Sequence, residues 1–207
     1  MEEVLPGVLH WTRVHDKIGT RVHSYFVADR GLLIDPMVPE EGIEAVAEQG
    51  TPERIALSVR HHYRHSQQFV DRFGCDVVAH EAGLHEFEGG PPVAGFAPGD
   101  EIMPGVRVLR LGEICPDDAV LHVHSGLGAL HFGDGLIRYR GRIGFVPDAL
   151  IGDDPEGVKR RTIERLRELL EEDFDALLFA HGDPLVPSGG RDALSEFVAA
   201  REGSLAG

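Results

Sequence analysis

Side chains that can bind a metal ion follow several apolar segments of this 207-residue chain. Each lies within a few residues of the end of an apolar run that we predict to be a β-strand. Loops at strand ends are where a rigid scaffold presents ligands, and imidazoles combined with a carboxylate suit a first-row metal ion. The candidate metal ligands are His62, His65, Asp134 and His181.

Alternating β-strands and helices must position these side chains. The apolar pattern predicts strands over residues 22–27, 31–36, 55–59, 75–79, 105–111, 119–124, 129–132 and 176–180. It predicts helices over residues 39–49, 66–73, 155–171 and 191–201, and Asp154 is a suitable N-cap for the third. The order strand, helix, strand in the first half is typical of an α/β unit.

The order of these segments resembles the metallo-β-lactamase superfamily. The resemblance rests on Ile34-Asp35-Pro36, on Arg60-His61-His62-Tyr63-Arg64-His65, on Phe132-Gly133-Asp134 and on Phe179-Ala180-His181-Gly182-Asp183. It spans roughly residues 22–184, and it implies one αββα four-layer sandwich domain over residues 1–207. It also implies one or two metal ions, mostly zinc and sometimes iron or manganese, and hydrolysis by a metal-bound hydroxide.

The family motif His-x-His-x-Asp-His is only partly kept. Aligned on its last histidine, His62 and His65 match the second and third histidines of the motif. Arg60 stands in place of the first histidine, and Arg64 stands in place of the aspartate. The resemblance therefore does not extend to a complete motif.

The other family ligands match in part. Asp134 corresponds to the bridging aspartate and His181 to the final histidine, whereas Ile114 stands at the turn histidine. In the family, the second metal uses the motif aspartate, the last motif histidine and the final histidine. The resemblance thus implies one ion at most, at that second position, held by His65, Asp134 and His181.

The two arginines oppose a metal ion. A guanidinium offers only hydrogen-bond donors and stays charged. At about 4 Å and an effective dielectric near 20, two unit charges interact by roughly 4 kcal/mol, and a divalent ion roughly doubles this. Arg64 must therefore point away from an ion, or pair with Asp134 in its place. As catalytic residues we predict Asp134, which would hold the ion or the water, and Arg64, which with Arg60 could stabilise a developing anion.

Several further residues are weaker candidates for a role in the metal site. His61 is a substitute ligand only if its loop bends, since neighbouring strand residues face opposite ways. Asp35 and Asp183 could orient metal ligands through hydrogen bonds without binding the metal themselves, although each also suits an ordinary turn. We predict a solvated strand face, rather than a metal site, for His122, His124 and His131.

The amino-acid composition limits the kinds of binding partner that we expect. The formal net charge of −15 disfavours general binding of nucleic acid. Two cysteines without a CxxC pair support no disulfide framework, and no apolar run approaches membrane length, so we expect a cytoplasmic protein that contacts no membrane. The pattern leaves the oligomeric state open.

Two functions remain open at this point. The first is a hydrolase of an ester, thioester, amide or phosphoester that uses a mononuclear metal site and a small-molecule substrate. The alternative is a non-catalytic binding or structural protein whose metal-free site binds a small anion through Arg60 and Arg64.

Overall fold

The computed structural model describes residues 1–205, which form fourteen strands and four α-helices. The strands are β1 Glu2–Leu5, β2 Val8–Val14, β3 Arg21–Val27, β4 Leu32–Ile34, β5 Arg54–Leu57, β6 Asp76–His80, β7 Ala94–Phe96, β8 Glu101–Met103, β9 Val106–Arg110, β10 Ala119–Val123, β11 Ala129–Phe132, β12 Ile137–Tyr139, β13 Arg142–Gly144 and β14 Ala176–Phe179. The α-helices are α1 Glu44–Ala47, α2 Ser66–Phe73, α3 Pro155–Leu169 and α4 Gly190–Leu205. In this part of the chain no helix combines the length and the apolar character needed to cross a membrane.

The strands form two main sheets and one hairpin. The first sheet has the order β1-β2-β3-β4-β5-β6-β7, antiparallel as far as β4 and parallel beyond it. The second has the order β14-β11-β10-β9-β8, in which β14 is parallel to β11. The hairpin β12–β13 lies outside both sheets. The C-terminal ends of β5, β11 and β14 are each followed by a candidate site residue.

Three apolar clusters separate four layers. One lies between the sheets and includes Tyr25 and Leu121. A second joins the outer face of the second sheet to α3 and α4, and includes Phe179. A third covers the outer face of the first sheet with α1 and α2, and includes Phe69. Helices thus cover both outer faces, which confirms the αββα sandwich predicted from the sequence.

Two sequence-based predictions about these layers were wrong. The helix predicted over residues 39–49 is the single turn α1, because the chain first makes a turn in which the Gly42 N–H donates to the Pro39 carbonyl. The strand face of His122 and His131 is not solvated: these side chains are 1% and 0% exposed, and only His124 is exposed. Strands β10 and β11 have the first sheet packed on one face and helices α3 and α4 on the other, so both of their faces are covered.

The start of α3 is capped as the sequence predicts. The Asp154 carboxylate accepts a hydrogen bond from the Gly157 N–H at 3.0 Å, and Pro155 occupies the first helical position. We expect Asp154→Ala to lower the free energy of unfolding by about 1 kcal/mol, the usual value of an N-cap. Denaturant unfolding measures this change. The neighbouring exposed Asp153→Ala is the control, and an equal loss in both variants would contradict the cap.

Candidate metal centre

Three side chains converge where β5, β11 and β14 end. Asp134 Oδ1 lies 3.3 Å from His62 Nε2 and 3.1 Å from His181 Nε2. The two histidine nitrogens lie 3.4 Å from each other. His62 is buried, and the other two side chains are partly buried. These donor atoms therefore form a nearly equilateral triangle.

Strand pairing brings the three residues together. Phe132 of β11 is paired with Phe179 of β14, and the Ala180 N–H donates to the Phe132 carbonyl at 2.9 Å. The chain segments that lead to Asp134 and His181 therefore leave the second sheet side by side. His62 comes from the first sheet, in a short 3₁₀ turn over Arg60–Tyr63 that follows β5. The site thus lies across the edge where both sheets end.

The triangle has the dimensions of a metal shell. Ligands at about 2.0–2.1 Å from a tetrahedral zinc ion are separated by about 3.3–3.4 Å. The separations found here, 3.1 to 3.4 Å, match that edge length. Two imidazole nitrogens and one carboxylate oxygen are also an ordinary donor set for zinc or iron. The residues present fit a single ion with a coordination position left open.

A buried carboxylate fixes the orientation of His62. Asp35 Oδ2 lies 2.9 Å from His62 Nδ1 and accepts from the Ser58 hydroxyl at 2.5 Å. The other oxygen of Asp35 accepts from the Ser58 N–H at 2.8 Å. Because the carboxylate accepts the Nδ1–H proton, Nε2 of His62 faces Asp134 and His181. Asp35 thus orients His62 in the way that carboxylates next to a metal site orient metal-binding histidines, by accepting the N–H that does not face the metal.

The charges of the site balance around His62. Burial and the nearby Arg64 charge lower the pKa of His62, but the Asp35 and Asp134 carboxylates outweigh them and raise it to about 9. Burial favours the neutral form of Asp134, yet the His62 charge and hydrogen bonds from both histidines hold its pKa well below the usual range. At neutral pH the charged His62 and Arg64 therefore offset the two carboxylates, and a metal ion at this site would displace the proton from His62 Nε2.

Comparison with solved structures identifies the fold. The chain superposes on a metallo-beta-lactamase family protein from Thermus thermophilus with a TM-score of 0.66, at 16% identity, covering 96% of this chain and 80% of that one. A metallo-beta-lactamase from Cronobacter sakazakii with a HARLDQ motif gives 0.64 at 15% identity, with 99% and 97% covered. A flavo di-iron protein from Thermotoga maritima gives 0.61 at 18% identity, with 93% and 58% covered. No family model and no curated protein matches the sequence.

The chain has the metallo-β-lactamase fold. The similarity covers 96% to 99% of the chain and so extends beyond residues 22–184, over which the sequence resemblance was stated. Solved neighbours of this fold include di-iron proteins, and in this chain the same fold brings together His62, Asp134 and His181.

His65 is not part of the cluster. The motif bends at Arg64, whose φ of 44° lies in the left-handed region, and this bend turns the next residue away. His65 Nδ1 instead accepts a hydrogen bond from the Val38 N–H at 3.0 Å. The metallo-β-lactamase fold of this chain therefore places His62, rather than the expected His65, beside Asp134 and His181.

Arg64 does not pair with Asp134, contrary to one sequence-based alternative. Its Nη1 donates to the backbone carbonyls of His23 at 2.9 Å and Asp35 at 2.8 Å. Its Nη2 is buried and has no hydrogen-bond partner among the described residues. The guanidinium therefore joins β3 to the loop after β4 and acts on the site through its charge.

Arg60 is also paired elsewhere. Its Nη1 forms an ion pair with the buried Asp117 carboxylate and lies 3.1 Å from Cys115 Sγ. The Arg60 N–H donates to the same carboxylate at 2.7 Å. Burial raises the pKa of the Cys115 thiol to about 12, and the thiol donates to Asp117 at 2.8 Å, outside the cluster of His62, Asp134 and His181. Arg60 thus fastens the motif to the loop before β10, and it is not a free anion-binding group.

Sequence reasoning missed two residues of the site and correctly suggested a third. Asp35 orients a ligand, as proposed from its position, whereas Asp183 has an exposed side chain without such a contact, and His61 is exposed. Ser58 was overlooked, although it directly follows β5. Asp118 was also overlooked; it is fully buried, and neither of its oxygens has a hydrogen-bond partner among the described residues. Burial and the nearby Asp134 charge raise the pKa of Asp118 well above the usual value.

A cavity of about 570 Å³ lies at the other end of the second sheet, where β11 and β14 begin. Its Arg191 side chain donates to the carbonyls of Phe174, Leu170 and Glu172 and thereby holds the end of α3. The converging donor atoms, rather than this cavity, identify the candidate site.

Proposed function

We propose that this chain is a metal-dependent hydrolase with one ion bound by His62, Asp134 and His181, acting on an ester, thioester, amide or phosphoester of a small molecule. The proposal rests on the triangle of donor atoms, with edges of 3.1 to 3.4 Å. Zinc suits the donor set, and iron and manganese are alternatives. The solved neighbours support a metal site without specifying the metal or the substrate.

The chain's residues have separate tasks in this proposal. A divalent ion supplies Lewis-acid polarisation and a water of lowered pKa. Asp134 and His181 contribute donors from the second sheet, and His62 contributes one from the first. Asp35 accepts the Nδ1 proton of His62, so Nε2 is the nitrogen that would bind the ion once its own proton has left. The positive Arg64, close to the cluster, favours negative charge that develops on a substrate oxygen.

An anion-binding protein without a metal is less well supported. Such a protein would need free arginine donors, but Arg60 is paired with Asp117 and Nη1 of Arg64 is occupied by two carbonyls. The remaining Nη2 of Arg64 is buried. The geometry therefore favours a metal site over an arginine pocket.

The proposal predicts one bound ion per chain. Protein purified without added metal and then titrated with Zn²⁺ should bind one equivalent tightly by calorimetry, because only one triangle of donors is present among the described residues. Tight binding of two equivalents would contradict the single site. Absence of binding, together with no metal after purification from iron- or manganese-supplemented cells, would overturn the proposal.

The hydrolase activity can be tested with chromogenic substrates of each class. We expect turnover of at least one ester, thioester, amide or phosphoester that a chelator abolishes and added metal restores. The His62→Ala variant should lose it, whereas His61→Ala should keep it because His61 is exposed and outside the cluster. We expect no measurable turnover of a chromogenic cephalosporin. Equal activity in both variants would exclude this site.

A further inference from the structure

Two buried histidines on neighbouring strands of the first sheet do not belong to the candidate metal site. His10 of β2 and His23 of β3 are 5% and 2% exposed. His10 Nε2 lies 2.9 Å from His23 Nδ1, which is a hydrogen-bond distance. His10 Nδ1 lies 3.3 Å from Oε1 of the exposed Glu2. The three side chains form a row from the protein surface into the sheet.

The hydrogen bonds of this row have only one consistent direction. A carboxylate can only accept, so His10 Nδ1 must donate its proton to Glu2. Burial lowers the pKa of both histidines, to about 3 for His23, so both rings are neutral and each has one N–H. His10 Nε2 is therefore an acceptor, and His23 Nδ1 must donate to it. This leaves Nε2 of His23 without a proton and with a free lone pair.

That lone pair faces away from β2. The two nitrogens of an imidazole point in nearly opposite directions, and Nδ1 of His23 points to His10. Nε2 has no hydrogen-bond partner among the described residues. Both nitrogens of His131 also lack a partner and are fully buried, whereas Nε2 of His23 is not among the fully buried atoms.

The backbone of His23 lies against both loops that form the cluster. Its N–H donates to the carbonyl of Ala180, the residue before His181, at 3.0 Å. Its carbonyl accepts from Arg64 Nη1 at 2.9 Å. After burial and His10, the charge of His181 has the largest effect on the pKa of His23. The backbone of His23 is therefore a direct neighbour of the residues that precede His181 and follow His62.

We propose that His23 is a further residue of the active site, whose unprotonated Nε2 accepts a hydrogen bond from water or substrate held at the cluster of His62, Asp134 and His181. His10 and Glu2 are positioning residues that keep the proton of His23 on Nδ1. The inference rests on the proposed metal-dependent function, but the state of His23 can be measured without any activity.

The first test is the tautomer of His23 in the full-length protein at neutral pH. Long-range ¹H–¹⁵N correlation spectra should show a neutral His23 protonated on Nδ1, the less common form of a free imidazole. Glu2→Ala should shift His23 towards the Nε2–H form, whereas Glu40→Ala, which removes another exposed carboxylate, should not. An Nε2–H tautomer in the unmutated protein overturns the inference, whether or not zinc binds.

The second test locates Nε2 relative to the cluster. Addition of Zn²⁺ should shift the ¹⁵N signals of His62 and His181, and also that of His23 Nε2, while the exposed His85 stays unchanged. Shifts at His62 and His181 without one at His23 overturn this inference alone. No shift at His62 and His181 means that the proposed metal site fails, and the tautomer measurement then decides separately on the row of histidines.

The third test uses variants of the row. Once a substrate is known, His23→Phe should lower kcat by about 100-fold, the usual effect of losing a positioned proton-accepting group, while Zn²⁺ affinity stays within about 3-fold. His10→Phe should lower kcat with little change in KM, and it should return His23 to the Nε2–H form. Unchanged kcat in His23→Phe at full metal content would overturn the role of His23.

Discussion

Asp134→Asn is expected to weaken Zn²⁺ binding by about 100-fold or more, since even residues that only orient a ligand affect affinity by about 10- to 100-fold. Asp134 is the one carboxylate of the triangle, and its Oδ1 lies 3.3 Å from His62 Nε2 and 3.1 Å from His181 Nε2. Without its charge, the Asp35 carboxylate and the Arg64 guanidinium cancel, so the site no longer attracts a cation. Competition with a zinc chelator measures the affinity.

Two variants make this comparison specific. Asp183→Asn removes an exposed carboxylate two residues beyond His181, and His61→Ala removes an exposed imidazole next to His62. Both should keep the affinity of the unmutated protein. If Asp134→Asn binds zinc as tightly as these controls do, the ion lies elsewhere and the triangle is only a hydrogen-bonded cluster.

Asp35→Asn should lower the free energy of unfolding by about 3–5 kcal/mol, the usual result of leaving half of a buried ion pair. Asp35 is fully buried and accepts from the Ser58 N–H, the Ser58 hydroxyl and His62 Nδ1. Asparagine keeps the size of the side chain and tolerates the φ of 48° at this position, so backbone strain adds little. The measured loss then reports on charge and hydrogen bonding.

Denaturant unfolding of metal-free protein gives this value, with Asp183→Asn as the control. Zn²⁺ affinity should fall as well, by about 10- to 100-fold, because His62 loses the group that fixes its proton on Nδ1. A variant with native stability would show that Asp35 contributes no net stabilisation, and unchanged zinc affinity would show that it does not orient His62.

The sequence predicted the fold well where apolar runs were long. Strands β3, β5, β10, β11 and β14 and helices α2 and α3 lie within two residues or so of their predicted bounds. Short elements were missed, among them β7, β8 and the hairpin β12–β13, because three residues show no usable alternation. The sequence also failed to show that β10 and β11 are covered on both faces, since a histidine at every second position is equally typical of an exposed strand.

For the site, the sequence by itself determined the types of ligand and the strand ends that present them. His62, Asp134 and His181 each follow a recognisable strand, and parallel strands that end at one edge bring their loops together. The sequence also determined that Arg60 and Arg64 leave the motif incomplete, because a guanidinium cannot bind a metal ion.

Only the tertiary structure decided between His62 and His65. The choice depends on the backbone at Arg64, where a φ of 44° turns the chain, and no spacing rule predicts such a bend. The partners of the arginines were likewise decided by distant segments: Asp117 reaches Arg60 from the loop before β10, and the carbonyls of His23 and Asp35 reach Arg64 from β3 and β4. The row of Glu2, His10 and His23 also exists only through strand pairing, which sets side by side residues that are 8 and 13 positions apart in the chain.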